Sequence, residues 1–164
     1  MSITNLQSVK QFMRVFQQAY SDTPTDTVGP SIIKLRLKLA LEELEELFFA
    51  TMNRQSQKLV NIHFKQINSF IEALDDSSFS INLIDIADAL TDIEYINNGT
   101  AAVFGIPLDA TFREVHRSNM SKLDADGKPV FREDGKVIKS DLYSPPDLDS
   151  VLASYGYSVE KTDA

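Results

Sequence analysis

Apolar residues recur at intervals of three and four from residue 3 to residue 123. Such intervals place side chains on one face of an α-helix, so each run predicts an amphipathic helix. The predicted helices span residues 3–20, 32–53, 58–74 and 81–104, and a short fifth helix starts near Asp109. Polar segments with Pro or Gly separate several of these runs. We expect Ser31 and Asp109 to act as N-caps of the second and fifth helices.

The pattern changes after Leu123, where residues 124–147 are rich in Asp, Gly, Lys and Pro. Within it, "VFREDGKVI" (130–138) places two β-prone pairs around Asp-Gly, which is typical of a small hairpin. One or two helical turns are expected at 149–155. We therefore predict one all-α domain over residues 1–164. Residues 1–123 are predicted to form a four- to five-helix antiparallel bundle, and residues 124–164 an irregular tail that wraps it.

Composition narrows the possible ligands and partners. With 24 acidic and 16 basic residues, the net charge is −8, which disfavours binding to a nucleic-acid polymer or to an anionic membrane. The chain has no cysteine, which excludes disulfides, thiolate metal sites and cysteine nucleophiles. It has no signal-peptide pattern at its start and no apolar run long enough to span a membrane, so we expect a cytoplasmic protein.

Acidic residues are concentrated on two of the predicted helices. The second helix carries Glu42, Glu43 and Glu46, and the fourth carries Asp85, Asp88 and Asp92 on one face. Like charges at these spacings repel, and Asp is a poor helix former, so the presence of both clusters needs an explanation. Two carboxylate faces that meet would suit a hard cation such as Mg²⁺, Mn²⁺ or Ca²⁺. The alternative is that both acidic clusters are simply solvent-exposed faces of their helices.

A basic segment, "FREVHRSNMSKL" (112–123), stands out in this acidic chain. Arg117, Asn119 and Lys122 supply donors that could hold phosphate oxygens beside metal-bound carboxylates. This combination predicts a site for a metal-bound polyphosphate. Alternatively, Arg113 and Arg117 simply form ion pairs with surface acids such as Glu114 or Asp109.

These motifs together resemble one enzyme superfamily. "EELEE" (42–46), "DIAD" (85–88), "EVHRSNMSKL" and the "PPDL" tail are similar to the all-α nucleoside triphosphate pyrophosphatases. These include the MazG-like and phosphoribosyl-ATP-pyrophosphohydrolase-like proteins, and the chain most resembles the branch related to dimeric dUTPases. The resemblance implies Mg²⁺-dependent cleavage, with Mn²⁺ as a substitute, between the α and β phosphates of a nucleotide such as dUTP.

The resemblance also implies roles for particular residues. Glu42, Glu43, Glu46, Asp85 and Asp88 would hold the metal, although Asp85 stands where the family more often has the longer Glu. Glu43 or Glu46 would act as general base. The substrate would be bound by Arg117, Asn119, Lys122 and Asp92.

The apolar stripes exceed what one small bundle needs to bury, which predicts completion by homo-oligomerisation. Relatives in the superfamily imply a homodimer or a homotetramer. Two other functions stay open: a phosphoribosyl-ATP pyrophosphohydrolase, and an acidic helical module that binds a basic partner without catalysis. A second acidic pair, "EALD" (72–75), also fits the family spacing, but the helix with Asp85 and Asp88 leads directly to the basic segment.

Overall fold

The computed structural model describes residues 3–132 and 137–158, and these residues are mostly helical. The elements are α1 (Asn5–Val15), α2 (Pro30–Thr51), α3 (Arg54–Ala73), α4 (Leu83–Phe104), α5 (Leu108–Met120) and α6 (Leu148–Ser154), with a 3₁₀ turn at Asp76–Ser78 and strands β1 (Val130–Phe131) and β2 (Val137–Ile138). The predicted all-α class is confirmed. No helix in the described ranges combines the length and the apolar character needed to cross a lipid bilayer.

The first helix is shorter than predicted, ending at Val15 rather than near Tyr20. Gln17 has a φ of 53°, in the left-handed region, which stops the helical repeat. Phe16, only 1% exposed, stacks on Phe12 with ring centroids 4.2 Å apart and anchors this end. Ala19 and Tyr20, which extended the apolar pattern in the sequence, are exposed beyond the end of the helix.

Both predicted N-caps are wrong. Helix α2 is capped by Gly29, and Pro30 takes the first helical position, where its missing N–H and fixed φ cost nothing. Helix α5 is capped by Pro107, so Asp109 lies within the first turn instead. A carboxylate there still interacts favourably with the helix dipole. The predicted stop of the fourth helix at Gly105 is confirmed, since Gly105 adopts a φ of 67°.

The predicted hairpin pairing is confirmed. Strand β1 pairs antiparallel with β2, with Val130 opposite Ile138 and Phe131 opposite Val137. The predicted Asp-Gly turn lies outside the described residues. The last predicted helix, at 149–155, is confirmed as α6 within one residue at each end.

The chain divides into two compact units, Thr23–Ala87 and a second made of Met1–Asp22 with Asp88–Ala164. In the first unit, α2 and α3 form an antiparallel pair. Lys34 donates to the Leu74 carbonyl and Lys38 pairs with Glu72, while Asn61 reaches Glu45 near the other end. Phe64 and Ile71 are buried there. The wider bundle and the single domain stay predictions.

The second unit is built on α5, which contacts both α1 and α6. Its buried residues are Ser8, Phe16, Ala101 and Ser118. Helix α4 belongs to this unit from Asp88 onward and carries much exposed apolar surface, for example Tyr95 at 79% and Val103 at 83%. A helix with this much uncovered apolar surface is typical of one that packs against a further partner.

Candidate active site

The glutamates of α2 divide into two groups. Glu45 is half-buried, and its carboxylate accepts a hydrogen bond of 2.7 Å from Asn61 Nδ2 on α3. Glu42, Glu43 and Glu46 are exposed. The helical repeat therefore sets one glutamate against the neighbouring helix and leaves the three predicted metal ligands accessible.

Among the three exposed glutamates, Glu43 is affected by the charges of the other two. Partial burial raises the pKa of Glu43, and the negative charges of Glu46 and Glu42 raise it further. A raised carboxylate pKa means that the charged form is disfavoured where it stands. A cation bound between these groups would reverse the effect by favouring the charged form.

The aspartates of α4 also differ in their surroundings. Asn82 Nδ2 donates to Asp85 Oδ2 at 2.6 Å, and Asn82 Oδ1 accepts from the backbone N–H groups of Ile84 and Asp85 at 3.2 and 3.4 Å. The side chain and the backbone N–H of Asp85 therefore both form hydrogen bonds with Asn82, next to the start of α4. Asp88 and Asp92 are exposed.

Within each unit, and for the described residues, no three Asp, Glu or His side chains converge closely enough to bind one metal ion. Neighbouring carboxylates on a single helix point outward side by side and cannot by themselves surround a cation. The predicted set draws on two helices: α2 lies wholly in the first unit, whereas α4 is divided, with Asp85 in the first unit and Asp88 in the second. The metal-ligand assignment stays a prediction.

Arg117 has protein partners in the structure. Its guanidinium donates to both carboxylate oxygens of Glu114, at 2.9 and 2.7 Å, and to the Pro145 carbonyl at 3.0 Å. Arg117 and the backbone N–H of Asp147 lower the pKa of Glu114 to about 2. The pairing with Glu114, which the sequence left open, is therefore present, and the substrate-binding role of Arg117 stays a prediction.

Asn119 and Lys122 lie together at the end of α5. Lys122 Nζ donates to Asn119 Oδ1 at 2.8 Å, and both residues are half-buried. Sequence reasoning missed two tail residues nearby, Lys139 and Tyr143. Lys139 Nζ lies 4.2 Å from the centroid of the Tyr143 ring, and the charge of Lys122 also acts on that phenol. The sequence signal that could have identified them is a lysine and a tyrosine four residues apart in a polar segment.

Comparison with known proteins decides the family. A family model described as phosphoribosyl-ATP pyrophosphohydrolase matches residues 9–119. The chain belongs to this family. The match includes both carboxylate helices and ends at Asn119 in α5. The predicted membership in the all-α nucleoside triphosphate pyrophosphatase superfamily is confirmed, and at family level so is the prediction of a hydrolase of phosphoric anhydrides.

This chain is also similar to two individual proteins. A crystal structure of a proposed NTP pyrophosphohydrolase from Exiguobacterium sp. 255-15 is 27% identical, with a TM-score of 0.73 over 93% of this chain and 95% of that one. An uncharacterised protein of Acanthamoeba polyphaga mimivirus is 29% identical over 145 residues, or 84% of this chain. The chain spans 43% of the length of that viral relative.

Proposed function

We propose that this pyrophosphohydrolase-family protein hydrolyses a deoxynucleoside triphosphate such as dUTP to the monophosphate and pyrophosphate, with Mg²⁺ or Mn²⁺ as the metal. The observation that carries the proposal is the match over residues 9–119, which includes two helices with exposed carboxylates. The structural similarity to the Exiguobacterium protein over almost the whole length of both chains supports it. We place this activity in the cytoplasm.

The chemistry of the side chains fits a hard divalent cation. Glu42, Glu43, Glu46 and Asp88 offer exposed carboxylate oxygens, and in the described parts of the chain none of them forms an ion pair. Asp85 would join them more weakly, because its carboxylate also accepts a hydrogen bond from Asn82. When bound, Mg²⁺ would supply charge neutralisation and a more acidic water ligand.

The protein's own side chains would then carry the proton and position the substrate. Glu43 or Glu46 would accept a proton from the water as its oxygen attacks the α-phosphorus. The bond from that phosphorus to the bridging oxygen breaks, and pyrophosphate leaves with the electron pair. Asn119 and Lys122 would hold phosphate oxygens, with Arg117 and Asp92 binding elsewhere on the nucleotide.

The proposed reaction is tested with a panel of triphosphates: dUTP, dCTP, dTTP, dATP, dGTP and UTP, each with Mg²⁺, with Mn²⁺ and with EDTA. We expect one or two deoxynucleotides to yield monophosphate and pyrophosphate in equal amounts, with no turnover in EDTA. Release of inorganic phosphate without pyrophosphate would contradict cleavage at the α–β bond. Phosphoribosyl-ATP is included because the matched family carries its name. Faster turnover of phosphoribosyl-ATP than of any deoxynucleotide would favour that second candidate.

We also propose that the protein is a homodimer, or a dimer of dimers. Large apolar side chains are exposed along α4, including Leu90 at 61%, Ile96 at 65% and Phe104 at 63%. The occupant that we propose for this surface is α4 of a second copy, because identical apolar helices can pair about a two-fold axis.

Replacing Ile96 with Asp is expected to convert the oligomer to a monomer, since a charge at an apolar interface is left unpaired. Sedimentation equilibrium of the wild type and the variant measures this directly. Lys58→Asp is the control, because Lys58 is an exposed polar residue on α3. A wild-type protein that is monomeric at micromolar concentration would contradict the proposal.

A further inference from the structure

The end of α5 and the tail gather several polar side chains around the buried Ser118. Asn119 and Lys122 are joined by a hydrogen bond of 2.8 Å. Lys139 lies over the ring of Tyr143 at 4.2 Å from its centroid. Ser118, 3% exposed, lies beside the Tyr143 phenol, and its side chain lowers the pKa of that group. Two ammonium groups, an amide and a phenol therefore occupy one region of the second unit. We call Asn119, Lys122, Lys139 and Tyr143 the tail cluster.

Among the described residues, no carboxylate forms an ion pair with Lys122 or Lys139 of the tail cluster. In the described ranges, ion pairs join Lys10 to Asp22, Lys38 to Glu72 and Arg117 to Glu114, and none involves Lys122 or Lys139. The chain as a whole has a charge of −8, so acids were available to pair with them. Two ammonium groups that form no ion pair with a described carboxylate give this region a local affinity for anions.

The tail is fixed to α5 and to the residues that follow it, at positions next to Lys139 and Tyr143. Ser140 Oγ donates to the Leu123 carbonyl at 2.6 Å, and the backbone N–H of Ser144 donates to Ser121 Oγ at 2.9 Å. Further along, the backbone N–H of Asp147 donates to Glu114 at 2.8 Å. These bonds hold the tail cluster in place without a ligand, which reduces the entropy lost on binding.

We propose that Lys139 and Tyr143 bind phosphate oxygens of the substrate together with Asn119 and Lys122, so that the tail is part of the polyphosphate site. This inference rests on the proposed function, and it extends the site beyond the family match, which ends at residue 119. The ammonium of Lys139 supplies a charge-assisted hydrogen bond. The O–H of Tyr143 supplies a second donor for a phosphate oxygen.

The electrostatics of Tyr143 support this role. The side chain of Ser118 lowers the pKa of Tyr143, and the charges of Lys139 and Lys122 lower it further. A phenol with a lowered pKa is a stronger hydrogen-bond donor to an anion. The same positive charges would attract a phosphate group placed beside the phenol.

The test compares Lys139→Gln and Tyr143→Phe with Lys128→Gln, a control at an exposed tail lysine with no described role in the tail cluster. We expect KM for the preferred triphosphate to rise about tenfold in each test variant, the scale of one lost charge-assisted hydrogen bond, with kcat changed less than about twofold. The control should match the wild type. Circular dichroism and Tm verify that each variant folds.

Calorimetric binding of inorganic pyrophosphate without metal separates this inference from the proposed function. Weaker pyrophosphate binding by Lys139→Gln, but not by Lys128→Gln, supports the tail cluster even if no triphosphate is hydrolysed. An active wild type whose KM and pyrophosphate affinity are unchanged by both test substitutions would overturn the inference and leave the proposed function standing. Absence of both turnover and pyrophosphate binding in the wild type would overturn both.

Discussion

Glu46→Gln is expected to lower kcat for the preferred triphosphate by at least about 100-fold, the scale of removing a general base. The substitution removes a negative charge and a strong metal-ligand oxygen, while it preserves the size of the side chain. Glu46 is exposed and forms no ion pair in the described parts of the chain, so we expect the fold to tolerate the loss of its charge. Steady-state assays of pyrophosphate release with saturating Mg²⁺ measure the effect.

The matched control for this substitution is Glu45→Gln. Glu45 is the neighbouring residue on the same helix, and a glutamine oxygen there can still accept the hydrogen bond from Asn61. We expect Glu45→Gln to retain activity within about threefold, because its carboxylate is directed to α3 rather than to the exposed acidic face. Equal losses in the two variants would indicate that α2 is generally sensitive to substitution and would remove the support for a catalytic Glu46.

The Glu46 variant should also be at least as stable as the wild type without metal. The charges of Glu42 and Glu46 repel along one helix turn, at a cost of about 0.2–0.5 kcal/mol in such helical pairs. Removing one charge relieves the repulsion, whereas added Mg²⁺ should stabilise the wild type more than the variant. Thermal melts with and without Mg²⁺ measure both effects, and a destabilised metal-free variant would point to a structural role for Glu46.

Asp88→Asn is expected to lower kcat/KM by at least about 100-fold, comparable to the loss of one preorganised electrostatic group. Asparagine keeps the shape of the side chain but binds Mg²⁺ far more weakly than a carboxylate. Part of the activity should return at high Mg²⁺ concentration, because the defect lies in metal binding. Titration of activity against Mg²⁺ distinguishes this defect from a loss of substrate affinity.

Glu94→Gln is the control for Asp88 on the same helix. Glu94 is six residues from Asp88, which places the two side chains about 120° apart around the helix axis. A carboxylate on that side is not expected to reach a metal held by Asp88, so activity should be kept. If Asp88→Asn is fully active while Glu46→Gln is inactive, the metal site does not include α4 as proposed, and the acidic pair in "EALD" (72–75) becomes the next set to test.

Sequence patterns predicted the helices well because the relevant information is local. Apolar spacing along α2, α3 and α4 follows the helical repeat, and Gly105 marks a helix end through its own backbone preference. The hairpin of β1 and β2 followed from β-prone pairs on either side of a turn motif. Helix starts were predicted less well. Ser31 looked like a suitable cap, but Pro30 is already the first helical residue of α2.

The candidate site was predictable only as a set of chemical groups. The exposed glutamates of α2 and the polar end of α5 were recognisable from residue type and spacing. Their individual environments were not, because those depend on neighbours distant along the chain. Glu45 differs from Glu46 through Asn61 on α3, and Arg117 is held by a carbonyl 28 residues away. Lys139 and Tyr143 were missed for the same reason.

Local periodicity and residue identity are enough to predict the helical class, the family and the acidic and basic residues available for chemistry. Tertiary structure decided which glutamate faces α3 and how the tail is bonded to α5. It also decided that Lys139 and Tyr143 lie beside the end of α5. Hydrogen bonds between residues far apart in the chain form only when packing brings their atoms within about 3 Å, and such bonds leave no periodic trace in a sequence.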